Sequence, residues 1–176
     1  GKLKKLIPLE RIVGAVIYKP VIQVAPGRIL ISDVVLPKLI IGEVNNVVTP
    51  RIEKIVAMVD KAGLPTLASS DIRLDKWRKL MINLIWNPLC AITQSAPGYI
   101  VTSPFAVEMV RNLIGEGNAV LASLGVDVKV DPDKELERVK TNLTQQPSML
   151  QDVRAGRSIE CDAIVNSVIE IAEITG

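Results

Sequence analysis

Residues 71–92 read DIRLDKWRKLMINLIWNPLCAI, a helical pattern that turns strongly apolar after Lys79 yet keeps two asparagines inside the apolar run. Lys79, Asn83 and Asn87 recur at every fourth position, and at about 3.6 residues per turn that spacing holds them on one slowly drifting stripe. A cation and two amides share one helix face. Leu80, Ile82, Leu84, Ile85, Trp86 and Leu89 surround them, so the stripe is expected in a largely dry place, where an unpaired amide costs about 1–3 kcal/mol. Pro88 offers no N–H to the carbonyl of Leu84 and disfavours helical geometry at Asn87. The helix is therefore expected to kink or end there, leaving a free carbonyl beside the asparagines. Two readings fit this spacing: a polar network between helices with no ligand, or a site that something polar completes.

Composition narrows the context. A chain of 176 residues with 48% hydrophobic content is globular, and with one Phe, two Trp and two Tyr its core must be built from Ile, Val, Leu and Ala. The 21 basic and 19 acidic residues are scattered, giving neither a basic stripe nor an aromatic stacking platform, so nucleic acid is not expected as a partner. Cys90 and Cys161 lie far apart and the chain has no histidine, which argues against a zinc site and a Ser-His-Asp triad. Cys90 in the apolar helix reads as a buried thiol, in keeping with a reducing cytoplasmic compartment. No apolar run reaches the roughly 18 residues of a membrane span, and the GKLKK start lacks a signal-peptide apolar segment, so a soluble protein is expected.

Taken in order, the β-branched runs 12–19 and 21–24, broken by Pro20, and the run 28–32 after the Ala25-Pro26-Gly27 turn read as strands. KLIIG at 38–42 is a further strand, and Leu64 to Ala68 one more. Between them a helix opens at Thr49-Pro50, with Thr49 as N-cap, Pro50 at the first position and Glu53 expected to complete a capping box; Gly63 closes it. After Ser70 nearly everything reads helical: a connector at 95–104, a helix from about Phe105 to Leu124, another from Asp131-Pro132 to about Leu143, a polar irregular passage at 145–162 and a last helix. Gly115 and Gly117 weaken the second of these by about 1 kcal/mol each unless a neighbouring helix packs closely there. The boundary is placed near Ser69-Ser70, dividing residues 1–69 from 70–176. A strand-rich segment with no helical cover for both faces reads as the tail of a larger α/β domain, and the chain as a piece of a longer protein.

Two long motifs, DIRLDKWRKLMINLIWNPLCAI and, some seventy residues later, SMLQDVRAGRSIECD, resemble the ketopantoate reductases (2-dehydropantoate 2-reductases). PGRI, the LIIGE turn and KAGLPTLASSDIR are similar to that family's passage from nucleotide domain to helical domain. The resemblance implies an α+β chain: the C-terminal remnant of a Rossmann-type α/β domain at 1–69, then an all-α domain at 70–176 like the C-terminal domain of 6-phosphogluconate dehydrogenase. It implies NADPH-dependent reduction of ketopantoate to pantoate in pantothenate and coenzyme A biosynthesis, and a homodimer formed through the helical domain. Lys79 matches the family's catalytic acid; Asn83 and Asn87 match the asparagines that position the lysine and the substrate. Ser148 matches a substrate contact, and Glu160 a glutamate that meets the substrate hydroxyl and influences the lysine.

Two departures stand out. Pro97 precedes Gly98 where some family members carry a substrate-contacting asparagine, which leaves another branched 2-oxoacid open as the substrate. The chain also contains no G-x-G-x-x-G pattern, so NADP(H) is expected to be bound mainly by a missing N-terminal half and this piece alone to be inactive.

The chemistry is consistent with the residues. Hydride delivery to a ketone leaves negative charge on oxygen, which an ammonium stabilises and then protonates, and a partly dry site lowers a lysine pKa toward usefulness. Each residue also has an ordinary reading: Lys79 as a solvated surface lysine, Glu160 as a helix-start acid after a Ser158 cap, Ser148 as a cap of the turn after Pro147. Arg154 and Arg157 stand ready to pair with Glu160 or an anionic ligand, and Asp152 reads as a structural cap. The rival from another class is a non-catalytic helical dimerisation module.

Overall fold

The computed structural model describes residues 5–19, 21–31 and 38–176. Pro20, Ser32 and most of the GKLKK start lie outside the described residues. Two compact units divide the chain, Gly1–Trp77 and Arg78–Gly176.

The first unit holds strands β1 (Val13–Tyr18), β2 (Val21–Ala25), β3 (Arg28–Ile31), β4 (Lys38–Glu43) and β5 (Thr66–Ala68), with helix α1 (Pro50–Lys61) between the last two. β2 and β3 form a hairpin whose turn uses Gly27 at φ +70, a conformation that glycine adopts without a Cβ penalty. β4 is the middle strand of the order β1-β4-β5, antiparallel to β1 and parallel to β5. A parallel neighbour needs a long crossover, and α1 supplies it. Its central place explains why residues 40–43 of β4 are all buried, a continuous run and no alternation.

Where Ile72 lands on this sheet, the sequence has glycine. A Cβ on Gly14 would lie 2.6 Å from Ile72 Cγ1, and one on Gly42 2.9 Å from Ile72 Cβ. Their bare backbone lets Ile72 pack against Val16 and Ile40 in one buried cluster.

Thr49 caps α1 as expected, but its hydroxyl oxygen accepts from the Ile52 amide at 3.3 Å. Ile52 is the third helical residue, so Glu53 stands one position too late for a capping box. The Thr49 hydroxyl donates instead to Glu43 Oε1 at 2.7 Å, and Arg51 donates to the same carboxylate. Arg51, then Thr49, hold the Glu43 carboxyl below the usual carboxylate range.

Helix α2 (Ile72–Thr93) leads into α3 (Pro97–Ile100), α4 (Pro104–Ser123), α5 (Pro132–Val139), α6 (Ser148–Arg154), a π-helical turn (Asp162–Asn166) and α7 (Ser167–Thr175). α2 does not end at Pro88. It continues to Thr93 and stops at Gln94, which has φ +53. Losing a helical hydrogen bond to proline costs about 3 kcal/mol, but Leu89 and Cys90, beyond the proline, lie buried in one core cluster with Ile85, Trp86, Ile100, Val110, Ile114, Leu136, Val139 and Leu150. Burying one large aliphatic side chain is worth about 1.5–3 kcal/mol, so tertiary packing outweighs the break. α5 ends at Val139, four residues short of the expected Leu143, and two short helices, α3 and α6, occupy stretches expected to be irregular.

The two glycines of α4 differ. A Cβ on Gly117 would meet Met81 of α2 at 2.6 Å, so this glycine marks close helix approach, whereas a Cβ on Gly115 would meet nothing within 4 Å beyond its own stretch of helix. Gly115→Ala is therefore expected to stabilise the protein by about 0.5–1 kcal/mol. Paired urea melts of the variant and the parent check this; a lower midpoint contradicts it.

Candidate active site

α2 carries the site because its apolar faces are committed elsewhere. Leu80 and Ala91 of this helix pack with Met149 of α6 and with Ile164 and Val165 of the π-helical turn. Leu80, Asn83, Asn87 and Ala91 fall at i, i+3, i+7 and i+11, one stripe on a helix. Asn83 and Asn87 thus lie between the two residues of α2 that meet α6 and the π-helical turn.

Lys79 is half-buried at the start of this stripe. Burial lowers its ammonium pKa, and the nearby Glu160 carboxylate raises it in part, leaving a net depression. The structure therefore brings Lys79 and Glu160 within electrostatic reach across about eighty residues of sequence. Asn83 is half-buried; Asn87 is 3% exposed and its Nδ2 has no hydrogen-bond partner. An unpaired buried amide N–H is costly, so Asn87 Nδ2 calls for a polar partner.

Ser148 is exposed at the first position of α6, where Pro147 is the N-cap and makes no side-chain cap bond. Its tie to the stripe is indirect, through its neighbour Met149 against Ala91. Glu160 is exposed immediately before the last helix, and its carbonyl accepts from the Ile164 amide at 3.1 Å. The two arginines take other partners: Arg157 Nε pairs with Asp152 Oδ1 at 2.8 Å, and Arg154 donates to the carbonyl of Gln94 at 2.6 Å. Arg154, Gln94, Ser95, Tyr99 and Gln146 line a cleft of about 480 Å³ that begins two helical turns past Asn87. Pro97 is buried at the first position of α3. Cys90 is fully buried, which pushes its thiol up to about 12, as fits an inert core cysteine. Among the described residues no cluster of three His, Cys, Asp or Glu side chains could hold a metal ion, and no helix is long and apolar enough to cross a membrane.

One network was not visible in the sequence. The Trp86 indole N–H donates to Glu135 Oε1, and Arg138 donates to both Glu135 oxygens. The partners stand 49 residues apart, and no local spacing signals such a pair; the sole hint was an indole inside an apolar helix, which needs an acceptor once buried.

The family profile described as "Ketopantoate reductase PanE/ApbA C terminal" matches residues 71–176. A 2-dehydropantoate 2-reductase of Mesorhizobium japonicum is 32% identical over 174 residues, covering 99% of this chain and 53% of that protein. Among solved structures, a putative ketopantoate reductase from Ralstonia solanacearum superposes with a TM-score of 0.89 at 28% identity, covering 100% of this chain and 53% of that one. A 2-dehydropantoate 2-reductase from Geobacter metallireducens gives 0.84 at 28% identity, covering 99% and 58%. The fold is thus a small sheet followed by the helical C-terminal domain of the ketopantoate reductase architecture. The chain belongs to the ketopantoate reductase PanE/ApbA family. It spans about half the length of the curated relatives it matches.

Proposed function

We propose that this chain is the C-terminal part of a cytoplasmic reductase that converts 2-dehydropantoate to pantoate with NADPH, on the route to pantothenate and coenzyme A. The observation that carries the reading is the half-buried Lys79, its pKa depressed by burial and tempered by Glu160, at the head of a stripe that holds the unsatisfied amide of Asn87. The naming of the relatives as 2-dehydropantoate 2-reductases supports the substrate.

A 2-oxoacid presents a ketone oxygen on which charge develops during reduction. The Lys79 ammonium stabilises that charge and passes its proton to the oxygen, and a pKa below the ordinary lysine value makes it a more willing donor. Asn83 and Asn87 orient the lysine and the substrate; a ligand oxygen at Asn87 Nδ2 would satisfy the orphaned donor. Glu160 accepts from the substrate hydroxyl and tempers the depressed pKa of Lys79, and Ser148 contacts the substrate. The nicotinamide cofactor, when bound, supplies hydride. No G-x-G-x-x-G cradle occurs in this chain, so its pyrophosphate is assigned to residues beyond it. Pairing of two copies through the helical part belongs to the same proposal. Pro97, which offers no amide, favours a second reading in which the substrate is another branched 2-oxoacid.

The test is an assay of the full-length protein against a panel of 2-oxoacids with NADPH and NADH. Fastest turnover is expected with 2-dehydropantoate and NADPH; no reduction of any 2-oxoacid overturns the reading. pH profiles refine it. The Glu160 carboxylate raises the Lys79 pKa, so Glu160→Gln is expected to lower that pKa further and to move the alkaline fall of kcat to lower pH. A limb that stays put or moves upward separates Glu160 from Lys79.

A further inference from the structure

Trp86 and Asn87 are neighbours on α2, in the turn that Pro88 weakens by leaving the Leu84 carbonyl without its helical donor. That turn is tied from outside. The Trp86 indole N–H donates to Glu135 Oε1 at 2.5 Å; Glu135 is 6% exposed on α5, and Arg138 grips its other oxygen through Nε at 2.8 Å. Leu136 and Val139 of α5 share one core cluster with Trp86 and Leu89, so α5 covers this stretch of α2. Asn87, one residue and about 100° round the helix, is buried with its Nδ2 unpartnered. For stability alone a buried carboxylate is a poor choice, since an apolar pair of similar volume often does as well. What the directional bond adds is a fixed azimuth for the softened turn.

We infer that Glu135 is a positioning residue: through the Trp86 indole it holds the Pro88-weakened turn of α2 and thereby fixes where the Asn87 amide points. The inference rests on the reading of Asn87 as a substrate-side group. A shift of about 1 Å in a positioning group is enough to cost up to a hundredfold in rate, so a looser turn shows in turnover before it shows in binding of the cofactor.

The experiment is steady-state kinetics with 2-dehydropantoate and thermal melts on the full-length protein, using Trp86→Phe, Glu135→Leu, Glu135→Gln, Asn87→Ala and the double variant Trp86→Phe/Asn87→Ala. Trp86→Phe removes the N–H together with part of the buried ring, whereas Glu135→Leu leaves the indole intact and removes its acceptor, and both are expected to lower kcat about tenfold. Glu135→Gln keeps an acceptor for the indole and is expected to recover most of that loss. With Asn87→Ala already present, Trp86→Phe should lower kcat no further, while it should still lower Tm. Equal kcat losses in both backgrounds, or a folded Trp86→Phe enzyme with parental kcat, overturn the inference while an impaired Asn87→Ala keeps the reading of the site. An Asn87→Ala enzyme with parental kcat overturns both.

Discussion

Replacing Lys79 by alanine in the full-length enzyme is expected to lower kcat by about 10²–10⁴-fold while leaving the KM for the nicotinamide cofactor nearly unchanged. In the proposed reaction the ammonium interacts most strongly with oxygen charge that exists only as the carbonyl is reduced, so its removal should fall on the chemical step and hardly on cofactor binding. The loss corresponds to roughly 3–5 kcal/mol of barrier. Asn83→Ala and Asn87→Ala should act on the same step less severely, because they orient groups and donate no proton. Glu160→Ala should chiefly weaken binding of the 2-oxoacid. Steady-state kinetics with circular dichroism to establish folding decide the matter. A folded Lys79→Ala enzyme within threefold of the parent's kcat removes Lys79 from the mechanism.

The second large effect concerns the helical unit's stability. An added Cβ at Gly98 would stand 2.8 Å from the Asn142 carbonyl oxygen and 2.9 Å from that of Val139, and the Gly98 amide itself donates to Asn142 O at 3.0 Å. Both obstacles are backbone at the end of α5 and cannot swing away. Gly98→Ala is therefore expected to cost about 2–3 kcal/mol, lowering Tm by on the order of 10 °C. Gly117→Ala is the control: its nearest obstacle is the Met81 methyl group at 2.6 Å, the far end of a flexible side chain, so its cost should be clearly smaller. Equal melting temperatures for Gly98→Ala and the parent contradict this account.

The central stripe of the candidate site is legible in the sequence because Lys79, Asn83 and Asn87 sit on one helix. A four-residue spacing fixes Lys79, Asn83 and Asn87 on a stripe whatever the rest of the fold does, and the strands, their turns and the Thr49 cap carry equally local signals. Less legible was everything settled by distant partners. Pro88 argues locally for a helix end, and only the burial of Leu89 and Cys90 against α3, α4 and α5 shows why the helix goes on. By sequence Glu135 is simply a first-turn acid of α5, and only the fold brings the Trp86 indole to its carboxylate. Glu53 and the capping box failed by a single position, an error no larger than the uncertainty of a helix start read from propensity. The extents of α3 and α6 were lost in polar, proline-containing stretches, where a one- or two-turn helix leaves too few residues for any periodicity to show.

The π-helical turn at Asp162–Asn166, where the Ser167 amide reaches back five residues to the Asp162 carbonyl, behaves as a phase shifter. Such a turn contains one residue more than an α-helical turn would need. Ile164 and Val168 anchor one side of it in the protein interior, while Glu160 stands just upstream. Deleting a single residue from the turn would let the helix run on in regular α form, and everything before the deletion would then rotate by about 100° against that anchored face. The bearing of the carboxylate that tempers Lys79 therefore depends on one surplus residue in the backbone downstream of it.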